Sequence, residues 1–428
     1  MQPAPESESL TGSNAAGGRA DVVAALSSLS ARRPTSVRVG TAMFLATLAL
    51  CLLYDSYRYP FRINSTLNPG YSDTPFALQA GKYVVLAAIC VVLLLWARHT
   101  LAPQDILLLL AGAWIGARSL AAVAASHETQ SFDVAAPFVF GAFVAVLLPP
   151  LRIGRAASLA AAAAVVVHAL VNVIEINLLV FTGRLPGLSF PGDDLKRFGG
   201  LWDDPNSTAV FSALVIVFLV ARGRYAWWLI GLAAFNILVS ISYSGAAALV
   251  VGLWVLLLWR STKLALALAP VLAGAAVAVF VFPFEHVPAV GSWLAAKQDS
   301  ALLRLRKEIL PAPDNWLLGG SVPHLSESSV AALVNTAGLI GLCLVLVWVA
   351  ASIRAAPGWN REWLVPLLVA FAVASQLVPY IGVFPLGTLF PIVLSLAARR
   401  HAGTDQLESR APAPVESGWQ RAAREASV

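Results

Sequence analysis

The stretch DILLLLAGAWIGARSLAAVAA, Asp105 to Ala125, carries one charge, Arg118, beyond its opening aspartate. An α-helix rises about 1.5 Å per residue, so about 20 apolar residues cross the hydrocarbon of a bilayer. The apolar positions run on without alternation, which predicts a membrane-spanning helix rather than a barrel strand. Gly112 and Gly116 predict ordinary close helix packing. Working outward, eleven further runs of this kind lie near 38–57, 80–97, 134–150, 157–181, 207–221, 225–241, 244–259, 264–283, 328–351, 363–381 and 383–398. Together they predict an all-α fold, a polytopic membrane bundle of about 12 transmembrane helices. The composition agrees, with 58% hydrophobic and 12% charged residues, where a soluble domain has roughly 25% charged.

Residues 1–37 are polar and rich in Ser, Ala and Gly, which predicts a disordered cytoplasmic tail and no cleaved signal peptide. A transmembrane domain over 38–398 follows, then a second cytoplasmic tail over 399–428. Cys51, Cys90 and Cys343 all fall inside predicted spans, where cysteine behaves as a small apolar residue, with no disulfide or metal framework. An even number of spans puts both tails on one side. Lys and Arg are retained on the cytoplasmic side, and short connectors carrying Arg152 and Arg155, Arg222 and Arg224, and Arg260 and Lys263 place the tails there. The net charge of +6 therefore reflects topology and anionic lipid headgroups, and nucleic acid is excluded as a partner.

Three sizeable loops remain for the outer side, near 58–79, 182–206 and 284–327. The second ends in KRFGGLWDDPNSTAV, Lys196 to Val210. Asp204 is a good N-cap and Pro205 suits the first helical turn, so DDPNST can serve simply to start a helix. Lys196, Arg197 and the Gly199-Gly200 pair open a second reading. They place fixed positive charge and accessible backbone beside a helix N-terminus, with Asp204 and Asn206 in support, as phosphate binding requires.

Inside the bundle, His168, Asn172 and Glu175 share one helix face. Arg118 and Glu175 lie at similar depth, about 9–12 Å below the outer helix ends at helical rise. Intramembrane charges face a partner, a wet cavity or another helix, so Arg118 is a candidate border of an outward-facing anionic pocket, with polar contact between helices as the alternative.

The third loop is the longest, and it predicts one or two short amphipathic helices on the outer membrane face. Its Arg304, Arg306 and Lys307 suit either headgroups or a substrate phosphate. His324 and Glu327 stand just after Gly319-Gly320 and just before the helix that starts at Ser328, as titratable groups fit for proton transfer. Trp202, Trp293 and Trp316 suit interfacial anchoring or stacking on sugar rings. Nothing has zinc-ligand spacing, a nucleophile elbow or a Walker loop, so neither metal nor cofactor is expected.

Taken together, three segments resemble the O-antigen polymerase and ligase superfamily, which includes Wzy-type exopolysaccharide polymerases. RFGGLWDDPN, Arg197 to Asn206, is similar to that family's Arg-x-x-Gly…Asp/Asn-Pro-Asn element; ISYSGAAAL, Ile241 to Leu249, is similar to its Ser-rich turn between two helices. The stretch from Arg304 through HLSESS to GLIG is similar to its large outer loop and exit helix. The motifs cover about 180–345, and two positions depart from the pattern. Glu327, not His324, holds the place where ligases show a His-Asn pair, and Ser244-Gly245 stands where many relatives have Ser-Arg.

The resemblance implies a metal-independent glycosyltransferase whose donors are sugars linked through pyrophosphate to undecaprenol. Arg197 and Arg304 would then bind the pyrophosphate, with Lys196, Arg306 and Arg118 as further cationic contacts and Ser244 and Glu175 in support. His324 or Glu327 would be the base. The function expected is a polysaccharide polymerase joining lipid-linked repeat units at the periplasmic face of a bacterial inner membrane. Its partners would be undecaprenyl-pyrophosphate-linked oligosaccharide, membrane lipids, a chain-length regulator and export machinery. An O-antigen ligase acting on lipid A-core or protein, and a lipid-linked oligosaccharide flippase, are the alternatives.

Overall fold

A computed structural model describes residues 36–53, 76–96, 99–126, 130–151, 154–182, 197–202, 204–223, 226–281, 315–320, 328–378 and 380–399. Within them the chain forms twelve helices and no strand. These are α1 (Ser36–Leu53), α2 (Phe76–Trp96), α3 (Pro103–Ser126), α4 (Gln130–Leu147), α5 (Gly154–Thr182) and α6 (Pro205–Ala221). They continue as α7 (Trp227–Ser240), α8 (Tyr243–Arg260), α9 (Thr262–Val281), α10 (Ser329–Ala355), α11 (Gly358–Ala374) and α12 (Leu386–Ala398). Helices α1, α3, α5, α8 and α10 are each long and apolar enough to cross a membrane. Large apolar side chains face outward along α2, α5 and α9, Leu95, Val180 and Val271 among them. Water would oppose that exterior and hydrocarbon favours it, so this is a membrane protein, helical throughout the described elements.

The helices pack as two groups. Trp348 of α10 lies at the centre of the first, built from α2, α3, α4, α10 and α12. The second joins α5, α6, α7, α8 and α11, with α9 against α8. An aromatic series links them, Phe138–Trp348 at 6.0 Å, Trp348–Phe390 at 5.5 Å, Phe390–Phe371 at 4.8 Å and Phe371–Tyr380 at 6.2 Å between ring centroids. Small residues set the closest crossings. A Cβ on Gly112 would meet that of Ala142 at 3.2 Å, so α3 lies tight on α4 as its small residues predict.

One end of the bundle gathers both ends of the described chain. Gly40 near the start of α1 abuts Pro149, and Arg399 after α12 donates to the carbonyl of Leu148. Arg399 also donates to the Ala145 carbonyl and to Asp105 Oδ1, both at 2.8 Å, so one cation closes the C-terminus of α4 and the N-terminus of α3. At the same end Arg260 donates to the carbonyls of Val220 and Ala221 in the last turn of α6.

Two elements differ from their sequence reading. The run 363–381 predicts one span, yet α11 ends at Ala374, and an irregular connector over 375–385 carries the buried Tyr380. The helix ends with Ser375 as its C-cap, and Pro385 stands directly before the next helix. The run 328–351 predicts a continuous helix, but α10 is broken at Gly338, whose φ of 69° and ψ of −174° suit only glycine.

Candidate functional site

The Arg197 end of the bundle is built from helix termini. Asp204 has extended backbone and accepts from Asn206 N at 2.9 Å and Ser207 N at 3.1 Å, capping α6 behind Pro205 as its sequence predicts. Ile241, at φ 46°, turns the chain sharply from α7 into α8, and Ser242 caps α8 by accepting from Gly245 N at 3.3 Å. Gly245 has no Cβ to strike Ala209, so the N-termini of α6 and α8 come close together.

Arg197 sits between them, only 8% exposed. Its Nε donates to the Ser240 carbonyl at the end of α7 (3.0 Å) and its Nη2 to Asn206 Oδ1 (2.6 Å). The same Asn206 oxygen accepts from Ser242 Oγ at 2.9 Å; Ser242 and Ser244 hydroxyls lie 2.9 Å apart, and Ser244 lies 3.1 Å from the Tyr380 hydroxyl. A guanidinium is thus held in one orientation by a buried polar chain drawn from α6, α7, α8 and the 375–385 connector. A fixed cation thus lies beside two helix N-termini, with the Asp204 carboxylate of the α6 cap as a nearby counter-charge.

The segment after Arg197 is buried, contrary to its reading as accessible loop. Phe198 N donates to the Val239 carbonyl at 3.2 Å, Ser240 Oγ to the Phe198 carbonyl at 2.8 Å, and Thr208 Oγ1 to the Gly199 carbonyl. A Cβ on Gly199 would meet the Trp202 carbonyl at 2.6 Å, and one on Gly200 would meet His168 Nδ1 at 2.5 Å. The glycine pair therefore serves close packing inside the protein. Trp202 is buried too, with Nε1 donating to the Cys51 carbonyl at 3.1 Å, so it is neither an interfacial anchor nor a sugar platform.

Arg118 occupies a second centre. Its Nε donates to the Leu318 carbonyl at 2.7 Å and its Nη2 to the Gly319 carbonyl at 3.1 Å, rather than to Glu175. The turn over 315–320 fills the break in α10: Leu339 N donates to the Trp316 carbonyl (2.8 Å), Ile340 N to Leu317 (3.4 Å), and Gly320 N to Asn335 (2.9 Å). Trp114, one turn before Arg118, donates from Nε1 to the Ala337 carbonyl at 2.9 Å, so α3 holds both the residue before the break and the turn that fills it.

Glu175 is buried on the α5 face that carries His168 and Asn172. Lys196, Arg304, Arg306, Lys307, His324, Glu327 and Trp293 lie outside the described residues, as does any amphipathic helix in the third loop. Sequence reasoning missed Ser242 as a cap and Tyr380 as a partner. The signal for Ser242 was its place before a helical run, while Tyr380 was concealed inside an apolar stretch. Among the described residues no three His, Cys, Asp or Glu side chains group as metal ligands.

These features define a membrane-embedded helical bundle with a cationic, hydrogen-bonded centre near one end. No protein-family model and no curated protein matches the chain.

Proposed function

We propose that this protein is a polysaccharide polymerase of the Wzy type, joining undecaprenyl-pyrophosphate-linked oligosaccharide repeats at the periplasmic face of a bacterial inner membrane, with both termini cytoplasmic. The observation that carries the reading is Arg197, buried and oriented where the N-termini of α6 and α8 meet. The similarity of three motifs to polymerases and ligases supplies the substrate class.

In this reading the donor's polyprenyl chain stays in the bilayer while its pyrophosphate meets Arg197 and Arg304. The acceptor hydroxyl loses its proton to His324 or Glu327 and attacks the anomeric carbon. That carbon's bond to the phosphate oxygen breaks, and the lipid pyrophosphate departs with the bonding electrons. The developing negative charge is what a fixed guanidinium stabilises, and no metal is needed for that term. The Asn206–Ser242–Ser244 chain keeps the guanidinium from relaxing away from the leaving group.

The test is to delete the protein and characterise the glycans. Accumulation of single repeats on the lipid carrier supports the polymerase. Full-length unattached polymer identifies a ligase, and loss of outward-facing lipid-linked sugar identifies a flippase. Arg197→Ala, checked for retention in the membrane, is expected to abolish polymer, and normal chain lengths in that variant refute the site.

A further inference from the structure

His168 and Asn172 have no role in the reaction as written, yet both are fully buried. His168 Nδ1 accepts from Leu201 N at 3.2 Å. A neutral imidazole that accepts at Nδ1 carries its proton on Nε2, so this bond selects the tautomer. That Nε2 is buried with no hydrogen-bond partner among the described residues, and so is Asn172 Oδ1. A buried donor and a buried acceptor four residues apart on one helix face are complementary, and one water shared between them satisfies both. Asn172 is itself held across the interface, its Nδ2 donating to Asn236 Oδ1 at 2.9 Å while Asn236 Nδ2 donates to the Val165 carbonyl at 3.2 Å.

What rests on the imidazole is the segment that begins with Arg197. Gly200 adopts φ 61° directly over it, and Trp202 meets it edge-on at 4.6 Å between centroids. The other end of the segment is tied to α7 through Phe198 and through Arg197 itself. Two anchors therefore fix the guanidinium, one on α7 and one on α5.

We propose that His168 is a positioning residue for Arg197. Its Nε2–H tautomer, held by a water shared with Asn172, seats Gly200 to Trp202 so that the guanidinium reaches Ser240 and Asn206. The effect on turnover rests on the polymerase reading, whereas the tautomer and the seating of Leu201 do not.

The test uses the full-length purified protein and three variants. His168→Asn places an amide oxygen near the site of Nδ1, His168→Gln places its amide near the site of Nε2, and His168→Phe keeps only the ring edge against Trp202. With the six histidines labelled by nitrogen-15, wild-type His168, assigned by its loss in His168→Asn, is expected to show a protonated Nε2 and a bare Nδ1. Hydrogen exchange at Leu201 is expected to quicken about tenfold in the Phe and Gln variants, the size of one lost buried hydrogen bond, and to return toward wild type in Asn. Turnover of lipid-linked donor should follow the same order with the acceptor KM unchanged.

A protonated Nδ1 in the wild type, or unaltered Leu201 exchange in His168→Phe, overturns the proposal. Faster exchange with full turnover severs the link to Arg197 and overturns it as well. If the wild type joins no sugars at all, the function proposed above fails, while the tautomer and the exchange rates still decide whether His168 seats the segment.

Discussion

Replacing Gly338 by alanine puts a methyl group where two backbone segments meet. Its φ of 69° with ψ of −174° belongs to a region only glycine occupies comfortably, and holding another residue there costs about 1–3 kcal/mol. The new Cβ would overlap the Leu317 carbonyl and approach Gly319 N to 2.6 Å. The partners are backbone, so the turn over 315–320 must retreat. Retreat breaks the bonds from Leu339 N to Trp316 and from Ile340 N to Leu317, each contributing about 0.5–1.5 kcal/mol. Strain and lost bonds together give about 2–6 kcal/mol. Gly223 provides the control: its φ is 64°, but a methyl group added there would meet no atom within 4 Å. Gly223→Ala should cost only the left-handed backbone term, about 1–2 kcal/mol. Denaturant titration of both variants in one detergent, followed by tryptophan fluorescence, measures the difference. Equal losses of stability would refute the close approach of turn and break on which the description of α10 depends.

Arg399→Met should destabilise by about 3–5 kcal/mol, because it strands the buried Asp105 carboxylate. Asp105→Asn should cost less, since carbonyls at Ala145, Val146 and Leu148 still accept from Arg399, and equilibrium unfolding of the two variants checks the order. At the same end, His99 between α2 and α3 is held below the usual imidazole range by burial and by the positive charge of Arg399, with Asp105 opposing. The unfolded chain therefore takes up this proton first as pH falls, and stability is lost through the ordinary histidine range. His99→Gln should flatten that loss, as read from melting temperatures in neutral and mildly acidic buffer; an identical slope would remove His99 from the account.

The helices were legible because a bilayer imposes a single pattern, long apolar runs broken by polar connectors. Asp204 and Pro205 were legible too, since capping depends on neighbours in sequence. The connector over 375–385 was not. Leu377, Val378, Tyr380, Ile381, Val383 and Phe384 make it apolar enough to pass for helix, and only tertiary packing makes irregular backbone tolerable there. Gly338 lies unmarked within the run 328–351, because a break is visible only with the turn that fills it. Burial of Arg197 was hidden for a similar reason. FGGLW resembles a loop until His168 and Cys51, both distant in sequence, are seen to receive it.

Arg118 and Arg197 differ in what their surroundings leave free. A broken helix beside a cation is what a transporter uses to bind an anionic group, with the freed amides of the second half-helix turned toward the substrate. In α10 those amides are spent, because Leu339 and Ile340 donate to carbonyls of the 315–320 turn, and Arg118 donates to the next two carbonyls of the same turn. The break is therefore a joint that fastens the turn over 315–320 to α3 and α10, and it leaves little to hold a transported anion. Arg197 stands where two capped N-termini converge, and the hydroxyl chain that orients it reaches Tyr380 in the connector. That connector in turn donates from Ile381 N to Ser329 Oγ at the start of α10, at 3.2 Å. One continuous series of hydrogen-bonded elements thus runs from the guanidinium to the helix that carries the joint, so disturbance of α10 at Gly338 and disturbance of Arg197 act on one mechanical unit.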